Sequence, residues 1–158
     1  MNFKTDIFMK FDKEWALLTA GSLDDHNAMT ISWGGMGTLW HKPVVTVYVK
    51  PVRHTYEYME KNDYFTVSFY PERYRKALML MGSKTGRDCD KDKEAGLTAE
   101  TVGESVTYKE AEITLLCRKI YFNDLDTANM SADVVRANYT AEAPHRMYLG
   151  EVIGIIEK

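Results

Sequence analysis

Short runs suited to β-strands, each closed by glycine, proline or a polar turn, recur along this chain and constrain its fold more than any other feature. The clearest is Tyr64-Phe65-Thr66-Val67-Ser68-Phe69-Tyr70, aromatic and β-branched almost throughout. Residues 15–20 form another, ending at Gly21-Ser22, and Asp24-Asp25-His26 reads as a turn. Residues 28–33 and 44–49 are strand-like, with glycines between them. Residues 112–122 place Ile113, Leu115, Cys117, Lys119 and Tyr121 at period two, and residues 147–156 read as a closing strand broken by Gly150 and Gly154. Helical pattern is confined to short pieces. Residues 55–61 offer Thr55 as a capping hydroxyl and Glu57 in the first turn. Residues 71–81 start at Pro71, turn Ala77, Leu78, Leu80 and Met81 to one side, and end at Gly82. One turn is predicted near Asp90 and a short helix over 131–138. About six or seven strands and two or three short helices predict a mainly β protein: a small closed barrel with helices packed outside it.

The 158 residues predict one domain spanning 1–158. With 45% hydrophobic and 27% charged residues the chain can bury a core. Net charge is −3 and Lys and Arg are scattered, which argues against a nucleic-acid face. No apolar run reaches membrane length, and residues 1–6 lack a signal-peptide core, so a cytoplasmic protein without a membrane partner is expected. Cys89 and Cys117 match no zinc or redox spacing and read as free thiols; Asp88, Asp90 and Asp92 disfavour a thiolate at Cys89. His26 and His41 lack ligand-spaced partners, so no metal site is expected.

Four segments carry candidate chemistry. Lys50-Pro51-Val52-Arg53-His54-Thr55 joins a strand to a helix. Amides at a helix start favour an anion, Arg53 can fork two hydrogen bonds onto a phosphate, and Thr55 can add a hydroxyl. The same residues also suit an ordinary turn with solvated cations. In Asn27-Ala28-Met29-Thr30-Ile31-Ser32-Trp33-Gly34-Gly35, period two points Thr30 and Ser32 the same way, and the glycines permit close approach of a flat ring. Those hydroxyls equally suit the polar side of a strand. Gly82-Ser83-Lys84-Thr85-Gly86-Arg87-Asp88 is not a Walker A loop, because its order is wrong and it follows a helix; it reads as a mobile polar loop or a ligand-binding one. His145-Arg146-Met147-Tyr148-Leu149-Gly150-Glu151 opens the last strand, where a histidine is often structural. There is no nucleophile elbow and no Gly-x-Gly-x-x-Gly.

The Asn-x-Met-Thr-x-Ser-Trp run, the Pro43-Val44-x-x-Val47-x-Val49 strand and the Arg53-x-Thr55 step together resemble the flavin reductase-like, FMN-binding split barrels, a family that includes flavoredoxin. The 82–91 loop and the His145 segment resemble it too, with Thr85 where the family commonly has serine. The resemblance implies a split β-barrel with a few short peripheral helices, FMN as cofactor, and a homodimer. It implies that Arg53 and Thr55, aided by Lys50 beside Val49, hold the FMN phosphate. Asn27, Met29, Thr30, Ile31, Ser32 and Trp33 would flank the ring, and Ser83, Lys84, Thr85, Gly86 and Asp88 would close the other side. His145 would be a catalytic residue on the nicotinamide or substrate side. The activity implied is hydride transfer from NADH or NADPH through FMN to a flavin, small molecule or redox protein. The alternatives are an electron carrier served by a protein donor and a non-redox binding module.

Overall fold

The computed structural model describes residues 1–158. In chain order the strands are β1 (Ala16–Gly21), β2 (His26–Ile31), β3 (Gly34–Leu39), β4 (Lys42–Val49), β5 (Tyr64–Phe69), β6 (Ala99–Val102), β7 (Ser105–Tyr108), β8 (Ile113–Asp124) and β9 (Arg146–Glu157). The helices are α1 (His54–Lys61), α2 (Arg75–Ser83), α3 (Lys91–Ala95) and α4 (Ala132–Asn138). Seven strands form one antiparallel sheet in the order β2-β1-β5-β8-β9-β4-β3, and β6 and β7 form a separate hairpin.

The sheet curls but does not close, a correction to the closed barrel expected from strand count. Its two edges are β2 and β3, consecutive in the chain and separated only by Ser32 and Trp33. The barrel is therefore split along a seam that these two residues span at one end.

The strand-forming residues divide between two apolar clusters. Leu18, Val45, Val47, Phe65, Val67, Phe69, Leu115 and Cys117 fill the barrel interior. Leu17, Ala28, Leu78, Met81 and Tyr108 form a second layer under α2. Leu17 and Leu18 belong to different clusters because alternate side chains of a strand point to opposite faces. Burial on both faces explains why β1 reads as a continuous apolar run rather than an alternation. Each such Leu or Phe contributes roughly 1.5–3 kcal/mol by leaving water. The outer face of β5 is polar and is covered by β7: Thr66 Oγ1 donates to Val106 O at 2.6 Å, and the Ser68 hydroxyl lies 2.9 Å from that of Thr107.

Several local expectations are corrected. The glycines between the 28–33 and 44–49 runs belong to a further strand, β3, although Gly34, Gly35 and Gly37 carry no side chain to reveal it. A Cβ at Gly34 would lie 2.6 Å from the Phe11 ring and 2.9 Å from Thr46 O, so the flat ring that needs this glycine is a core phenylalanine of the protein itself. Phe11 is carried by a π-helical turn, Met9–Glu14, that the sequence pattern did not announce. β9 is continuous through Gly150 and Gly154, with bulges in the β8–β9 register absorbing the irregularity. A Cβ at Gly150 would lie 2.4 Å from Phe65, so this glycine marks tight packing rather than a break. The 71–81 helix begins as a 3₁₀ turn, Glu72–Tyr74, and α2 then runs past Gly82 to Ser83.

Candidate functional site

Three helix ends meet beside the β2 edge: the start of α1, the end of α2 and the start of α3. They enclose a polar cavity of about 350 Å³ with Val52 as its single apolar lining residue. Arg53, not Thr55, is the N-cap of α1, and no side chain caps the helix. The opening amides and the positive end of the helix dipole are thus left for another acceptor. Thr55 is fully buried one residue into the helix, and its hydroxyl accepts from Asn27 Nδ2 at 2.7 Å. That bond leaves the Thr55 proton free to donate.

Cations converge on the carbonyls that end α2. Arg53 Nη2 donates to Gly82 O at 3.0 Å. Lys91, only 5% exposed, donates through Nζ to Met81 O at 2.7 Å and Lys84 O at 3.2 Å. An ammonium has three protons, so one donor of Lys91 remains. Burial, with Arg53 nearby, pulls Lys91 down to about 8, against the opposing pull of Cys89 and Asp92. Burial also pulls Arg53 below its ordinary value, while Glu142 holds it up. Lys84 pairs with Glu94 at 2.5 Å, and Arg87 pairs with Glu57. His54 Nδ1 is enclosed in this wall without a hydrogen-bond partner. A Cβ at Gly86 would lie 2.2 Å from Asn27 Oδ1, so glycine is what allows the loop to close over Asn27.

A second, shallower pocket of about 160 Å³ continues along the same strand. Met29, Thr30, Ile31, Ser32, Trp33 and His145 line it together with Tyr48. Thr30 touches both pockets' walls: its hydroxyl donates to Leu78 O, and its Cβ lies 3.0 Å from where a Gly82 Cβ would be. The Thr30 proton is thereby committed to α2. β2 ends at Ile31, so strand alternation does not tie Ser32 to Thr30 as the sequence pattern suggested. Trp33 is 52% exposed and tilts against His145, ring centroids 5.3 Å apart.

Of the residues singled out from the sequence, Asn27, Arg53, Thr55, Ser83, Lys84 and Thr85 meet in the polar cavity. Met29, Thr30, Ile31, Ser32, Trp33 and His145 meet in the second pocket. Val49 is buried in the barrel core and lines neither. Lys50 pairs with Glu142 at 2.7 Å, Gly86 lies behind Asn27, and Asp88 is exposed outside both pockets. Sequence reasoning missed Lys91, His54, Arg87 and Tyr48 as lining residues. The Asp90 N-cap, whose carboxylate accepts from Lys93 N at 3.1 Å, was a readable signal that a helix start follows and that Lys91 opens it.

Residues 8–157 match the family model described as the flavin reductase like domain. No curated protein sequence matches the chain. Among solved structures, an FMN-binding protein from Thermus thermophilus with bound 1-cyclohex-2-enone superposes with a TM-score of 0.73 at 16% identity, over 99% of this chain and 77% of that one. Flavoredoxin from Methanosarcina acetivorans gives 0.74 at 18% identity, over 100% and 75%. Nitrilotriacetate monooxygenase component B from Bacillus cereus gives 0.69 at 18% identity, over 89% and 67%. At these identities the structures speak to the fold alone, a mainly antiparallel split barrel. The family model covers nearly the whole sequence, and the chain belongs to the flavin reductase-like domain family.

Proposed function

We propose that this protein is an FMN-dependent oxidoreductase that takes hydride from NADH or NADPH and passes electrons to a flavin, a small molecule or a redox protein. The observation that carries this reading is the pairing of two pockets along β2, a cationic one at an uncapped helix start and an aromatic-edged one beyond it. Asn27 and Ile31 stand four residues apart on that strand, about 13 Å at strand rise. The donor set fits a phosphate: Arg53, Lys91 and the Thr55 hydroxyl surround open space at the positive end of α1. Bound FMN supplies the ring that accepts hydride and returns electrons. The chain's own task is to bind, orient and screen. Arg53, Lys91 and Thr55 hold the phosphate end. Met29, Ile31 and Trp33 flank the ring end with apolar surface, and Ser32 and His145 offer polar atoms to its edge.

The chain acts in this reading as one FMN-binding unit over 1–158, in the cytoplasm, consistent with two free thiols. No helix is long and apolar enough to cross a membrane. A homodimer is supported by exposed aromatics that cluster where β3 turns into β4 against β8: Trp40 is 58% exposed and Tyr121 41%, with ring centroids 6.5 Å apart. The enone bound by the Thermus protein supports a small-molecule acceptor.

The test is the visible spectrum of the protein mixed with FMN, before and after anaerobic NADH or NADPH. Bound flavin that bleaches promptly supports the reductase. Bound flavin that bleaches only with a ferredoxin-like donor replaces it with the carrier. Failure to bind FMN leaves the non-redox module.

A further inference from the structure

His145 is clamped by two aromatic rings, and one of them brings a hydroxyl within hydrogen-bond distance of its imidazole. Trp33 tilts against the imidazole at 5.3 Å, and Tyr139 stands edge-on at 5.7 Å. Tyr139 is the C-cap of α4, its amide donating to Val135 O at 2.9 Å, so the ring is carried by a helix end rather than a free loop. The His145 carbonyl is tied by Leu125 N at 3.0 Å. The Tyr139 phenol oxygen lies 2.8 Å from His145 Nδ1. Nε2 has no protein partner and, unlike Nδ1 of His54, is not enclosed; His145 lines the ring pocket beside Ile31, Ser32 and Tyr48. A phenol carries one proton, and Tyr139 has no other side-chain or backbone acceptor. A neutral imidazole has one bare nitrogen. If the phenol donates to Nδ1, the ring's own proton must be on Nε2.

We propose that Tyr139 is a positioning residue that fixes His145 as the Nε2–H tautomer, presenting a hydrogen-bond donor to a carbonyl oxygen or ring nitrogen of the ligand in the ring pocket. Burial, with Lys50 nearby, holds the imidazole below its ordinary pKa against the opposing pull of Glu142, which keeps the ring neutral and the tautomer meaningful near pH 7. The ligand half of the inference rests on the proposed flavin reading; the tautomer half does not.

The test is long-range ¹H–¹⁵N correlation NMR of the ¹⁵N-histidine-labelled protein without ligand near neutral pH, with His145→Gln identifying the resonances. The expected wild-type pattern is a pyrrole-type Nε2 and a pyridine-type Nδ1. Tyr139→Phe, which removes only the hydroxyl, is expected to mix or invert that pattern and to weaken FMN binding about fivefold, the worth of one net hydrogen bond. A wild-type protein protonated on Nδ1, or a Tyr139→Phe protein with an unchanged pattern, overturns the proposal while leaving the flavin reading intact. The wild-type spectrum decides alone if the variant does not fold. The expected tautomer with an Nε2 that does not shift when fluorescence titration shows FMN bound overturns the donor role, whereas a protein that does not bind FMN overturns the flavin reading and leaves the tautomer standing.

Discussion

Replacing Lys91 should remove a pH dependence as well as an affinity. In the ligand-free protein the Lys91 ammonium is held at about 8 against an ordinary 10.5, because burial and Arg53 disfavour its charge. A phosphate dianion in the cavity reverses that balance. Full restoration of the ordinary value corresponds to about 3 kcal/mol of coupling, at 1.36 kcal/mol per pKa unit. Below pH 8 Lys91 is protonated in both free and bound protein and contributes no pH dependence. Above it the free protein loses the proton while the complex keeps it, so binding takes up a proton and weakens as pH rises. With a free value near 8 and a bound value well above 9, affinity falls about tenfold from pH 7 to pH 9, and uptake at pH 8 is about half a proton. A phosphate monoester is already largely dianionic across this range, its second pKa being about 6. Titration calorimetry with FMN in two buffers of different ionisation enthalpy reads both quantities. Lys91→Met is expected to bind about ten- to a hundredfold more weakly at pH 7, the range of a charge-assisted hydrogen bond, and to show a flat profile. Cys89→Ser serves as a control: burial and Glu94 push the Cys89 thiol up and keep it neutral, so the slope is expected to stay that of the wild type. A Lys91→Met protein that keeps the wild-type slope refutes the reasoning.

Arg53→Ala should weaken FMN binding about tenfold or more, and Thr55→Ala by less, in fluorescence titrations; unchanged affinity in both would remove the phosphate assignment. Gly86→Ala should disrupt the Asn27–Thr55 bond, because its Cβ would fall 2.2 Å from Asn27 Oδ1, at roughly 1–3 kcal/mol in denaturant melts. Asp92 raises the pKa of His26 through their 2.7 Å contact, so this stabilisation is complete below the ordinary value of 6.5 and is lost as pH rises through the folded-state value. Thermal melts across that window should show the loss in wild type and not in His26→Gln.

What was legible in the sequence were features that depend on neighbours along the chain. β5 announced itself because its branched and aromatic residues are consecutive, and the Arg53-x-Thr55 step because a strand end and a helix start are close in sequence. What was not legible depended on long-range contact. β3 is glycine-rich at an edge and gains its strand character from pairing with β4, Gly35 opposite Thr46 and Gly37 opposite Val44. The β6–β7 hairpin, unannounced, is explained only by the hydroxyls of β5 that it covers. Lys91 closes the 82–91 loop in the sequence, but its burial could not be read there, because it depends on the end of α2 folding over it. The commitment of Thr30 to Leu78 O likewise depends on a helix far along the chain.

The two-residue link between β2 and β3 has a mechanical meaning. An antiparallel sheet with free edges can breathe by spreading them, but here Ser32 and Trp33 act as a clasp at one end, so spreading must open like a hinged clip with its mouth away from them. Those same residues line the second, shallower pocket. A molecule lodged there bears on the clasp itself, so ligand occupancy and barrel breathing share one coordinate. Edge amides of β2 and β3, far apart in the sheet order, are then expected to slow their hydrogen exchange together when the pocket fills.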